Sequence, residues 1–113
     1  RAWWEEDRGV TQRFYNQVLG AWGDAPYFCE PWICEQVVAM HLKSPAMLTV
    51  LPWQDWMAMD GELRRENPND ERINVPANSR HYWRYRMHMT LEELLEAENL
   101  NKMISQKIAE SGR

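Results

Sequence analysis

Three histidines, two cysteines and 17 acidic residues are the groups in this chain suited to proton transfer, nucleophilic attack or metal binding. His41 shares a helical stripe with Ile33 and Val37, which predicts a packed or half-buried ring rather than a ligand. His81 and His88 sit in an aromatic and basic stretch with no Ser or Cys nucleophile at a suggestive position, so a triad is unsupported. Cys29 and Cys34 are too widely spaced for a CxxC pair, and no second Cys/His cluster completes a zinc site. They read as two buried, reduced thiols of a cytoplasmic protein, and no metal or cofactor is expected. Bond cleavage by carboxyl groups needs one as acid/base and a second as nucleophile or water activator. The acids here cluster on helix faces or in a polar loop, where solvation accounts for them. Gln54 and Asp55 are different, because they directly follow an apolar run, Ala46–Leu51. They either line a ligand site or cap and brace a short helix.

A second group of candidates is aromatic. Seven Trp accompany four Tyr and two Phe, more than so short a chain needs for packing. The surplus is either core from a larger hydrophobic structure or a set of stacking platforms for flat ligands, sugar faces or bases. Arg80, His81, Tyr82, Trp83, Arg84, Tyr85 and Arg86 interleave cations with π faces, as a nucleic-acid platform does. The net charge of −4 and the nearby Glu62, Glu66, Asp70 and Glu71 argue against that partner. Arginines paired with loop acids and packed over Tyr and Trp are the simpler account. The mean hydropathy of −0.70 and the lack of a long apolar run predict no membrane span. RAWWEEDRG lacks the order of a signal peptide, and Arg1 reads as a cut within a longer chain.

The elements that must position these groups follow from periodicity. Trp3, Val10, Phe14 and Val18 predict one amphipathic helix to about Leu19, ended by Gly20 and Gly23. DAPYFCEP is a connector, and Pro31 suits the first position of a helix running to about Leu42. Residues 46–51, closed by Pro45 and Pro52, predict a strand buried on both faces, as in a parallel sheet. With no second strand in the chain, its pairing partners are expected elsewhere. A short helix is expected over 52–60 and a long polar loop over 61–79, with turns at Asn67-Pro68 and Pro76. A loop of that length in a compact protein usually has a function. Thr90 and Glu93 form a capping box for a last helix to about Glu110.

Several segments resemble the C-terminal part of the 4-α-glucanotransferases called amylomaltases or disproportionating enzymes, glycoside hydrolase family 77. They are WWEEDR at 3–8, TQRFYNQVLG at 11–20, CEPW at 29–32, LRRENPNDERINVPANSRHYWRYRMHMTLEELL at 63–95 and the apolar run ending at Gln54-Asp55. The likeness is nearest to the longer bacterial or plant cytosolic type; Tyr82-Trp83 departs from the Asn-Trp usual in the short thermophilic type.

The resemblance implies an α/β fold: the C-terminal part of a (β/α)8 TIM barrel, mostly helical here with one buried strand. Residues 3–43 would be the connection after strand seven, 46–51 strand eight, and 91–110 the closing helix. It implies transfer of 4-α-glucan segments by retaining double displacement, with all three catalytic carboxylates upstream of Arg1. Residues 1–113 would then be inactive alone. By resemblance Asn74, in INVPA, is the donor-side sugar contact, with Gln54 and Asp55 as further substrate-binding candidates. The expected partners are maltooligosaccharides or α-glucans and the remainder of the parent barrel, with self-association of the isolated chain. The alternatives are the transferase part of a glycogen-debranching protein and a non-catalytic carbohydrate-binding module.

Overall fold

Two short helices open the chain, Ala2–Glu6 (α1) and Arg8–Arg13 (α2), where the apolar pattern predicts one. The computed structural model describes every residue from Arg1 to Arg113. The break falls at Asp7, whose backbone is extended at φ −127° and ψ 92°. Its carboxylate accepts from the Val10 amide at 3.0 Å, so an acid read as helix surface serves as the cap of α2. The helix then widens into a π-helical turn over Phe14–Val18. Gly20 and Gly23 follow with φ of 66° and 82°, a region that costs other residues roughly 1–2 kcal/mol.

The connector over 20–30 has no regular structure, so other groups must satisfy its carbonyls. The Arg8 guanidinium donates to the carbonyls of Ala25 at 2.8 Å, Pro26 at 3.0 Å and Tyr27 at 3.3 Å. The Trp4 indole donates to Pro26 at 2.8 Å. These bonds fold the connector back over the first helices. Beneath it lies the larger core, in which Trp4 and Tyr15 pack with Cys29, Ile33, Cys34 and Ala58.

Pro31–Lys43 (α3) begins with proline in its first turn and buries Ile33, Cys34, Val38 and Leu42. Its far half joins Met59 in a smaller cluster, with Leu51, Trp56, Met103 and Ile104 packed around it. Trp53–Met57 (α4) falls inside the helix expected over 52–60. The polar loop holds only a 3-10 turn, Pro68–Glu71, capped by Asn67. Gly61 anchors the start of this loop on α3, where a Cβ would meet Pro31 Cγ at 3.0 Å. Leu91–Glu96 (α5) opens on the capping box formed by Thr90 and Glu93. The chain breaks at Ala97 and continues as Glu98–Glu110 (α6), so the last expected helix is also two. Lys107 of α6 reaches Glu35 of α3 at 2.7 Å.

The expected buried strand is overturned. Half of the residues are helical and none forms a β-ladder, so the α/β class does not describe this chain. Within 46–51, Met47 is 100% exposed, Leu48 77% and Val50 81%. A strand is stable only when a neighbour takes its amides and carbonyls. Here Arg113 takes the Ala46 carbonyl at 2.7 Å and that of Ser44 at 3.0 Å. No strand is present elsewhere in the chain to pair with them.

The packing is thin. Thirteen of 113 residues are buried, and the radius of gyration is 15.2 Å against about 13 Å for a compact domain of this length. The accessible surface of 8173 Å² exceeds the roughly 6,500 Å² expected for the mass. Of the tryptophans only Trp4 is buried, while Trp22 is 95% exposed and Trp83 74%. No helix is long and apolar enough to cross a membrane.

Candidate functional site

Asp55 stands where α1, α4 and the polar loop meet. On one side is an open cleft of about 440 Å³, whose walls include Trp3, Glu6, Gln54, Asp55, Arg72 and Ile73. On the other is an apolar cavity of about 340 Å³ containing Trp3, Phe14, Val37, Leu51 and Asp55. Trp3 borders both with 47% of its surface exposed, offering an aromatic edge beside two hydrogen-bonding side chains. An apolar plane beside a few placed polar groups is a composition suited to a small polar ligand.

α4 sets the direction of Gln54 and Asp55. Pro52 precedes it, and no side chain caps it, so Asp55 does not have the capping role left open by the sequence. Although Asp55 as a residue is exposed, burial of its carboxyl against the apolar wall pushes its pKa up from the ordinary carboxylate value. His41 was expected to be packed or half-buried; it is exposed, and its ring bonds the Val37 carbonyl at 2.8 Å.

The opposite wall is held by Arg72, which reaches Glu6 of α1 at 2.7 Å. The next residues, Ile73 and Asn74, carry the INVPA segment. His81 fixes it: a carbonyl can only accept, so the Nε2–H donates to the Ile73 oxygen at 2.9 Å. His88 Nε2 likewise bonds the Leu63 carbonyl at 2.6 Å. Both histidines of the aromatic stretch are therefore loop braces. Asn74 is half-buried, and its amide takes no part in the loop's hydrogen bonds. Asn67 and Asn78 do the opposite, accepting from the amides of Asn69 and Arg80 at 3.0 Å each. Ile73 lines the cleft and Asn74 does not, so the structure brings Gln54 and Asp55 onto one wall and leaves Asn74 off it.

The arginines behave partly as expected. Arg84 lies over Tyr82 at 5.1 Å, and Arg65 over Tyr85 at 5.8 Å. The loop acid Glu71 pairs with Arg65 of its own loop at 3.9 Å rather than with an arginine of 80–86.

Residues 1–91 match the sequence profile of the 4-alpha-glucanotransferases, glycoside hydrolase family 77. The chain belongs to this family. All 113 residues align at 38% identity with 4-alpha-glucanotransferase DPE2 of Oryza sativa subsp. japonica. A 4-alpha-glucanotransferase of Chlamydia muridarum (strain MoPn / Nigg) is 27% identical over 108 residues, 91% of the chain. The chain spans 12% of the length of the rice relative and 19% of the chlamydial one. No solved structure matches. As a family-77 chain it carries its recognisable WWEEDR and INVPA words on the two sides of one cleft. The residue pattern alone gives no reason to place Trp3, Glu6 and Arg72 on this cleft. Trp3 and Glu6 lie in a quoted motif, but nothing local to it shows that Arg72 comes within 2.7 Å of Glu6.

Proposed function

We propose that the protein carrying this chain transfers 4-α-glucan segments between 1,4-linked glucans by retaining double displacement, and that residues 1–113 supply donor-side binding. The observation that carries this reading is the family match across residues 1–91. The cleft supports the binding part of it. A glucosyl ring has an apolar face suited to the Trp3 indole and vicinal hydroxyls suited to amides and carboxylates. In this reading Gln54 and Asp55 bond those hydroxyls from α4, while Asn74, outside the cleft, bonds a neighbouring part of the donor from the loop. Double displacement also requires a nucleophile and an acid/base at a fixed separation. None of the acids in this chain is assigned to those roles, so the chain contributes affinity and orientation, not bond breaking.

Disproportionation of maltotriose tests the proposal. The intact protein should release glucose together with longer maltooligosaccharides, and residues 1–113 alone should release none. Glucose without longer products would make the protein a hydrolase. Activity of the 113-residue chain, free of contaminating enzyme, would return a catalytic carboxylate to it.

A further inference from the structure

The glucan reading leaves one reactive pair unused. Cys29 and Cys34 are both buried, and their sulfurs lie 3.6 Å apart in thiol–thiol hydrogen-bond contact. Cys29 ends the connector, immediately before Glu30 and Pro31, and Cys34 sits in the first turns of α3. We propose that these two cysteines form a reversible oxidation site, in which a hydroperoxide converts the pair to a disulfide joining the connector to α3.

Geometry carries this. A disulfide needs sulfurs at about 2.05 Å, so closure moves them together by about 1.5 Å. Cys29 lies outside any helix and can supply that movement. Both cysteines border the apolar cavity beside Asp55, and Cys29 also borders a polar cleft with Arg1 and Arg64. Each cysteine keeps 9% of its surface exposed, enough for a molecule as small as a peroxide to reach it.

The chemistry divides between the two thiols. The hydrogen bond from Cys29 favours the Cys34 thiolate and, with smaller help from the amino group of residue 1 and then the Arg64 and Arg1 guanidiniums against the cost of burial, lowers its pKa to about 7. The same bond, with burial, pushes the Cys29 thiol up. Cys34 is therefore the attacking thiolate. Its sulfur takes the distal oxygen of the hydroperoxide, becoming a sulfenic acid as the O–O bond breaks and the alkoxide or hydroxide leaves with a proton. Cys29 then loses its proton and attacks the Cys34 sulfur, which expels the oxygen as water. The pair loses two electrons and two protons, and with hydrogen peroxide the products are one disulfide and two waters. A dithiol reductant reverses the step. The Cys29 carbonyl accepts from Arg64 at 2.6 Å, so the oxidised bond lies one hydrogen bond from the polar loop.

The test uses the intact protein at pH 7 with stoichiometric hydrogen peroxide. The sequence has no Lys or Arg between Phe14 and Leu42, so one tryptic peptide, residues 14–43, holds both cysteines. After peroxide, denaturation and alkylation, that peptide should be lighter by two hydrogens, with neither thiol labelled, and dithiothreitol should restore labelling of both. The folded protein should form the bond about tenfold faster than the same protein in guanidinium, from the larger thiolate fraction and the fixed contact. Full alkylation of both thiols after peroxide would overturn the proposal. So would equal rates in the folded and unfolded protein, because the sulfur contact would then have no effect.

Discussion

Asn74 and Asp55 make opposite bargains with the structure around them. An Asn that only holds its loop bonds nearby backbone, as Asn67 and Asn78 do. Asn74 keeps its amide free while half-buried, in a segment held by the His81–Ile73 bond. Asn74→Ala in the intact protein should therefore lower kcat/KM for donor glucan by about tenfold to a hundredfold, the equivalent of roughly 1.5–3 kcal/mol. Its melting temperature should hardly move. Unchanged kinetics on maltotriose, or a loss matched by a large drop in Tm, would make Asn74 a brace. Asp55 is predicted to trade stability for binding. Its carboxyl pKa is raised by folding, so the folded chain holds the proton more tightly than the unfolded one. That contribution is fully present below the unfolded carboxylate pKa and is lost as pH rises through the folded value. Asp55→Asn keeps the shape and removes the titration. Its Tm advantage over the parent should widen between pH 4 and pH 7, while KM for glucan rises. A gap independent of pH would show that burial does not penalise this carboxylate.

The polar loop over 61–79 shows how an element without helix or strand can still be positioned. Arg65 is its main bolt: it donates to the Arg86 carbonyl at 2.6 Å, lies over Tyr85 and sits 3.9 Å from Glu71. Burial, reinforced by Glu71, raises the Tyr85 phenol pKa, so Tyr85 stays neutral beneath the arginine. Arg65→Met keeps much of the aliphatic stem and removes the planar donor fork. Amides of residues 66–79 should then exchange about tenfold faster with deuterium, as expected from losing one charge-assisted hydrogen bond. Exchange confined to residues 80–89, with the loop unchanged, would locate the bolt elsewhere. The breaks at Asp7 and Ala97 belong to this scale too. Both lie within segments whose apolar spacing suits a single helix, because periodicity reports which face is buried and is blind to one residue turning extended.

As a whole the molecule exposes apolar surface that it has no means to cover. Met47, Leu48, Val50 and Trp22 project from the chain, and its radius of gyration and surface area exceed those of a compact domain. Exposed apolar area is stabilised by burial at about 25 cal/mol per Å². The 113-residue chain by itself should therefore be mainly helical, only marginally stable, and self-associating at micromolar concentration. Light scattering with circular dichroism checks this. A monodisperse monomer with steep cooperative unfolding at high temperature would contradict it. A self-contained carbohydrate-binding module would have to behave as that monomer does.

Much of the local structure was legible from residue order alone. Pro31 marks the start of α3, Gly20 and Gly23 the end of the first helical region, and Thr90 with Glu93 the start of α5. Each depends on backbone chemistry confined to a few neighbours, so no distant partner can reverse it. The family was legible for a related reason, since INVPAN and WWEEDR survive as words whatever surrounds them. The buried strand over 46–51 was not determined in this way. An apolar run states that it wants cover, but a strand exists only when another strand accepts its hydrogen bonds, and this chain offers Arg113 instead. Tertiary structure alone decided that Arg72 closes on Glu6, that Trp3 and Asp55 share a wall, and that two cysteines five residues apart touch at 3.6 Å. Those are distances between side chains carried by different parts of the chain, fixed only when the packing of all of them is solved together.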